Sequence, residues 1–182
     1  MKRLYFVNGF VLLSLLAGCA ARDSLLVPER TQGNATPVIV QVYAAPEIRP
    51  GDTWKVYLIA HDPDGDMRNI HASIRQPGMA SHPGAFLRIA EANRERLAGY
   101  VYLNTLGIQG LNFTTLTLSI EIEDRAGYFS PPAVFPLSFN SGARQQPPPP
   151  PGLFPEKDLG PIMIILKALP DGGDPNSGEY ED

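Results

Sequence analysis

Between Pro37 and Asn140, apolar and polar residues alternate with a period of two along most of the chain. In "TTLTLSIEIED", Leu116, Leu118, Ile120 and Ile122 share one face, and Thr115, Thr117, Ser119, Glu121 and Glu123 share the other. Successive side chains of a strand point to opposite sides, so this pattern predicts a half-buried strand. The same phase groups Trp54, Val56, Leu58 and Ala60 in "TWKVYLIAH", and Ile70, Ala72 and Ile74 in "NIHASIR". It groups Leu97, Val101 and Leu103 in "RLAGYVYLN", and Phe135, Leu137 and Phe139 in "VFPLSF". "VIVQVY" places Val38, Val40 and Val42 together. "FLRIAEA" fits a strand or the start of a short helix through Arg96, and is read as a strand. Turn signals at Pro50-Gly51-Asp52, Asp62 to Asp66 and Gly127 separate these segments. About seven strands in roughly 100 residues predict an all-β protein, a single seven-stranded antiparallel β-sandwich. Burying one Val, Leu or Ile contributes ~1.5–3 kcal/mol, so about twenty inward side chains suffice without disulfides.

Outside that region the alternation stops. Residues 19–36 are polar and mixed, and read as a tether. Five consecutive prolines, Pro147–Pro151, favour a polyproline II helix. At ~3.1 Å per residue they make a stiff spacer of roughly 16 Å, so residues 141–161 read as a Pro-rich linker. The segment at residues 162–170 is apolar but too short to span a membrane. Its alternate residues Ile162, Ile164 and Leu166 either bind a partner or dock on the sandwich as an extra strand. Docking is slightly favoured, because a free β-prone segment is an aggregation hazard. The acidic end, residues 171–182, has almost no apolar content and is expected to be disordered.

The start of the chain carries a different signal. Lys2 and Arg3 precede a mostly apolar run, Leu4 to Leu16, followed by Ala17, Gly18 and Cys19. This is the three-part layout of a secretory signal, and the run is shorter than the ~20 residues a spanning helix needs. Leu16-Ala17-Gly18-Cys19 is similar to the lipobox of bacterial lipoproteins. The resemblance implies that residues 1–18 are removed and that Cys19 becomes the acylated N-terminus and the membrane anchor. More than one acyl chain is what stable anchoring requires. By the same resemblance, Ala20 rather than Asp after the cysteine favours the outer membrane of a Gram-negative host. Removal of Lys2 and Arg3 leaves 13 basic against 19 acidic residues, a net charge of −6 instead of −4. No basic cluster is present, so a phosphate-tracking nucleic-acid surface is not expected. Cys19 is the only cysteine, so no internal disulfide can form and the core must hold the fold.

Two junctions, "AHDPDGDM" and "EDRAGYFS", resemble loops of bacterial immunoglobulin-like, fibronectin-type and cadherin-like domains. The resemblance covers residues 37–140 and implies an immunoglobulin-like arrangement. The antibody cysteine pair is absent, and the one tryptophan, Trp54, falls on the second strand. In such a sandwich Asp62, Asp64 and Asp66 would share one end with Asp124. Four neighbouring carboxylates offer hard oxygens to calcium, the one cofactor this pattern admits. The alternative is a plain turn in which Asp side chains bond the local backbone; no complete calcium-loop motif is present. His61, His71 and His82 lack metal-ligand spacing and read as exposed structural histidines. Tyr100 and Tyr102 form either an aromatic contact patch or a surface packed under a tail. No nucleophile elbow or phosphate loop appears, and no catalytic constellation is found. The expectation is a non-enzymatic, membrane-anchored envelope protein presenting its sandwich to a protein or glycan. The alternatives are a calcium-stabilised adhesive or assembly module and an accessory subunit of an envelope enzyme or secretion complex.

Overall fold

A computed structural model describes residues 35–78, 82, 84–108 and 110–166. Cys19, its preceding segment, the tether as far as residue 34 and the acidic end lie outside the described residues. The strands are β1 (Val38–Ala44), β2 (Glu47–Ile48), β3 (Thr53–His61), β4 (Met67–Arg75), β5 (Ala85–Arg88), β6 (Arg96–Asn104), β7 (Thr115–Asp124), β8 (Ala133–Phe139) and β9 (Asp158–Pro161). They form a four-stranded sheet, β1-β3-β6-β9, and a five-stranded sheet, β2-β8-β7-β4-β5. Among the described residues there is no α-helix, only a 3₁₀ turn at Glu91–Asn93. The core lies between the sheets, where the stripes of β3, β4, β6, β7 and β8 meet. Trp54 is fully buried there; its Nε1 donates to the Ala45 carbonyl at 2.8 Å, and its ring stands edge-on to Phe135.

The seven expected strands all form, but the expected count and direction are corrected. Among the described residues there are nine strands, and two pairs, β2–β8 and β6–β9, run parallel. Both extra strands are short edge strands whose sequences carry turn residues. β2 follows Pro46, where the chain leaves one sheet and joins the other. The Pro46 carbonyl accepts the Ser138 N–H at 2.9 Å, which starts that pairing. β9 contains Gly160 and Pro161, residues tolerated at a sheet edge where ladder donors are dispensable.

The face of β1 is also corrected. Val38, Val40 and Val42 are exposed, whereas Ile39 and Ala44 pack against the core. A bulge between Ile39 and Gln41 inserts an extra residue and resets the alternation.

The Pro-rich segment is no free spacer. After β8 the chain crosses to the outer face of the four-stranded sheet, and β9 then adds to the edge of β6. Beyond it, Ile162, Ile164 and Leu166 are buried in the core, while Met163 and Ile165 point out. The tail therefore docks on its own domain. The Tyr100 N–H donates to the Lys157 carbonyl at 2.8 Å, and the Ile162 N–H to the Tyr102 carbonyl at 2.7 Å. Gly99 makes the approach feasible: a Cβ there would collide with the Lys157 carbonyl oxygen and press on Leu159.

Gly99→Ala is expected to lower stability by about 1–3 kcal/mol through overpacking, and to make residues 157–166 cleavable by protease. Gly107→Ala, at a positive φ of 78° with open space around it, provides the control for backbone strain. Limited proteolysis and urea melts check this; a protected tail in the Gly99 variant would contradict it.

Candidate functional site

Three regions hold the candidate residues, beginning with the acidic turn between β3 and β4. Asp62 is fully buried, and its carboxylate organises the turn. Its Oδ1 accepts the Asp64 N–H at 3.1 Å and its Oδ2 the Asp66 N–H at 3.3 Å. Its own N–H donates to the Glu95 carbonyl at 3.0 Å. Gly65 takes φ 67°, the left-handed conformation that closes the turn. Asp64 turns away, and its Oδ2 accepts the Ala35 N–H at 2.7 Å. Across the same end, Asp124 is buried and its Oδ1 accepts the Tyr128 N–H at 2.8 Å. Asp66 is buried with no hydrogen-bond partner on either oxygen, and Asp124 Oδ2 also lacks one. Burial, then the adjacent Asp62 carboxyl, then the charges of Asp124 and Asp64 push the Asp66 carboxyl up to about 6.

Asp62, Asp64, Asp66 and Asp124, the acids expected to take calcium, stand in a turn held by backbone N–H groups. Among the described residues, no group of three or more His, Cys, Asp or Glu side chains is arranged to hold a metal ion. The acids do meet at one end, but both oxygens of Asp62, one of Asp64 and one of Asp124 are taken by backbone N–H groups. The bonding is that of a chain reversal.

The second region is the outer face of the four-stranded sheet. Tyr43, Tyr57, Tyr100 and Tyr102 line it as an aromatic ladder, with Tyr57 and Tyr100 centroids 5.4 Å apart and Tyr100 and Tyr102 6.4 Å apart. The tail covers part of that ladder. The Tyr43 hydroxyl donates to the Pro147 and Pro148 carbonyls, both at 3.1 Å. Phe154 is buried against Tyr43 and Tyr57. The Tyr57 hydroxyl donates to Glu156 Oε1 at 2.6 Å, and Lys55 Nζ reaches Glu156 Oε2 at 2.9 Å. Lys55 also stands 4.2 Å from the centre of the Tyr100 ring. Burial and the Glu156 hydrogen bond raise the Tyr57 hydroxyl to about 12. Tyr57 and Lys55 in turn hold Glu156 below its usual range. Tyr100 and Tyr102 are thus half-buried on a face shared with the tail, and Ile162, Ile164 and Leu166 are withdrawn into the core.

The third region is the outer face of the five-stranded sheet. Phe86 on β5 is 71% exposed, and Phe129 and Tyr128, just after β7, are 44% and 46% exposed. His71 stands between Phe86 and Phe129, 5.1 Å from the Phe129 ring and 6.3 Å from Phe86. Its Nε2 lies 2.9 Å from Glu123 Oε2, which also accepts from Asn69 Nδ2 at 2.6 Å. These two partners, His71 first, lower the Glu123 carboxyl. Farther along the face, an open cleft of about 330 Å³ is lined by Ser73, Ile74, Arg75, His82, Thr117, Ser119 and Val134. His82 is buried, not exposed as its loop suggests, and its Nε2 sits 3.2 Å from Gln76 Oε1. Sequence reasoning passed over Phe86 and Phe129. The available signal was an aromatic residue on the polar phase of β5, opposite the buried Ala85 and Leu87.

No protein-family model matches the chain, and no curated protein matches it.

The Asp66 shift has a defined sign. A carboxyl raised from its ordinary value of 3.8 to about 6 stabilises the fold fully below the lower value, and that contribution is lost as pH rises through the higher one. Asp66→Asn is therefore expected to melt higher than the wild type at pH 7.5, by roughly 2–3 kcal/mol of stability, and to match it near pH 3. Millimolar calcium should leave both curves in place. Parallel pH dependence of the two proteins, or a calcium-dependent rise, would overturn this account.

Proposed function

We propose that this chain is a lipid-anchored binding protein of the bacterial envelope. In this reading acylated Cys19 holds it to a membrane, most simply the outer membrane of a Gram-negative cell. The sandwich then presents the outer face of its five-stranded sheet to a protein or glycan partner. The observation that carries the reading is the difference between the two outer faces. One is covered by the chain's own tail, and the other leaves Phe86 and Phe129 exposed around His71. Exposed aromatic residues fixed by neighbours are characteristic binding anchors. The residues of the adjacent cleft support a non-enzymatic role. They are three hydroxyl residues, two aliphatic ones and one arginine, and the His82 ring is engaged by Gln76.

We also read the sandwich as a variant of the immunoglobulin-like arrangement. The β1-β3-β6 order matches the first, second and fifth strands of that fold, and β8-β7-β4 its last two and third. The variation is at the edge of β6, where β9 takes the place of the usual fourth strand and runs parallel. Because sandwiches of this kind serve many roles, the fold does not choose the partner.

Two measurements test the proposal. Cys19→Ser should abolish metabolic fatty-acid labelling; persistent label would remove the anchor. Crosslinking in intact envelopes should recover a partner that the double variant Phe86→Ser, Phe129→Ser loses by about tenfold or more, as for central interface anchors. Undiminished recovery would move the site off this face.

A further inference from the structure

The tail does more than end the chain. It is a peptide ligand already seated in a receptor groove, and the structure supplies both halves of the recognition. The receptor half is the Tyr43, Tyr57, Tyr100 and Tyr102 ladder with Lys55, plus the open edge of β6. The ligand half is a proline run, an aromatic anchor at Phe154, an acid at Glu156 and the strand β9. Proline-rich segments dock on aromatic-lined grooves because their extended conformation is preformed. Strand addition to a sheet edge then supplies main-chain hydrogen bonds. Both modes operate here along one continuous segment.

The fit is built into the fold. Gly99 on β6 lets the Lys157 carbonyl approach, and Gly160 on β9 lets the tail pass Leu87, whose Cδ2 would lie 2.9 Å from an added Cβ. Glycines with positive φ stand at both close approaches, 155° at Gly99 and 127° at Gly160. The ligand is joined to the domain through residues 140–146, between Phe139 at the end of β8 and the start of the proline run at Pro147.

From this geometry we infer that the tail is exchangeable, and that the same groove takes the tail of a second copy of this chain. A second copy carries the required order of prolines, Phe154, Glu156 and β9 at the required spacing, and every contact made within one chain is available between two. Reciprocal exchange closes a two-fold dimer, since each copy offers one groove and one tail. In the closed monomer the crossover holds its own tail at an effective concentration of the order of millimolar. The intact protein therefore favours self-docking, and exchange emerges when self-docking is weakened or copies are crowded. This inference does not depend on the lipid anchor or on the aromatic face of the other sheet.

Complementary variants expose the exchange. Tyr57→Ala damages the groove and spares the tail; Phe154→Ala damages the tail and spares the groove. Both residues lie on the outer face, away from the core between the sheets. Full-length versions with different affinity tags are mixed in detergent and co-purified. The mixed pair, in which an intact tail meets an intact groove, is expected to recover its partner at least about tenfold better than either variant paired with itself. Equal recovery of mixed and like pairs, with both variants melting cooperatively, overturns the inference. If an alanine variant fails to fold, the exposed pair Lys55→Glu and Glu156→Lys carries the same test. Each is mismatched within itself and matched to the other. Preferential recovery of that mixed pair supports exchange, and its absence overturns it.

Discussion

The missing side chain at Gly99 allows the tail to reach the backbone of β6, and much of the molecule's asymmetry depends on that approach. Once the Lys157 carbonyl accepts the Tyr100 N–H, β9 falls into register beside β6. Residues 162–166 then follow with their alternation aimed inward. Ile162, Ile164 and Leu166 extend the core at an edge where β6 would otherwise offer unpaired groups to other chains. A single close contact between backbones thus couples the last described residues to packing between sheets formed by the middle of the chain.

The same approach separates the two outer faces. The tail that reaches β9 must first cross the tyrosine ladder, and its prolines, Phe154 and Glu156 find partners on the way. The charged pair of Lys55 and Glu156 is largely exposed, so it contributes little stability by itself. The main stabilisation of the crossing comes from apolar area: Phe154 is buried against rings that would otherwise face water. Among the described residues, nothing comparable covers Phe86 on the five-stranded sheet, which is 71% exposed. The contrast between a face occupied by the chain and a face left bare is what gives a functional reading any direction here.

Much of this was legible in the residues, and the failures have physical causes. The stripes of β3, β4, β6, β7 and β8 were readable because each strand is paired on both sides or packed across a full face, so burial enforces a strict period of two. β1 was misread because a bulge at its exposed edge shifts the phase, and nothing in "VIVQVY" distinguishes a bulged valine from a paired one. β2 and β9 were invisible because two residues carry no period, and "DLGP" has the composition of a turn. The docking of Ile162, Ile164 and Leu166 was slightly favoured over partner binding because a free β-prone segment aggregates, but the path of the prolines was not legible. Polyproline geometry predicts stiffness without saying what surface the segment lies on. The acidic turn was legible as a reversal and ambiguous as a site, because three aspartates in five residues serve either purpose until the direction of each oxygen is known.

Those oxygen directions give the acidic turn a structural role. Asp62 uses its carboxylate to fix the reversal into β4, and Asp64 reaches the backbone of Ala35, just before β1. The start of the described chain is therefore tied to the same end as the β3–β4 turn. Asp124 closes the turn after β7 beside them. Concentrating acids in this way raises Asp66, which lacks any donor, and the fold bears that cost at neutral pH. Buried polar groups commonly fix geometry at the expense of stability. Here the geometry fixed is where the chain enters the domain. Entry at the acidic end sets β1 against β3, so that Tyr43 lies opposite Tyr57 and the ladder that receives the tail is continuous. The two ends of the described chain are in this way connected through the register of one edge strand.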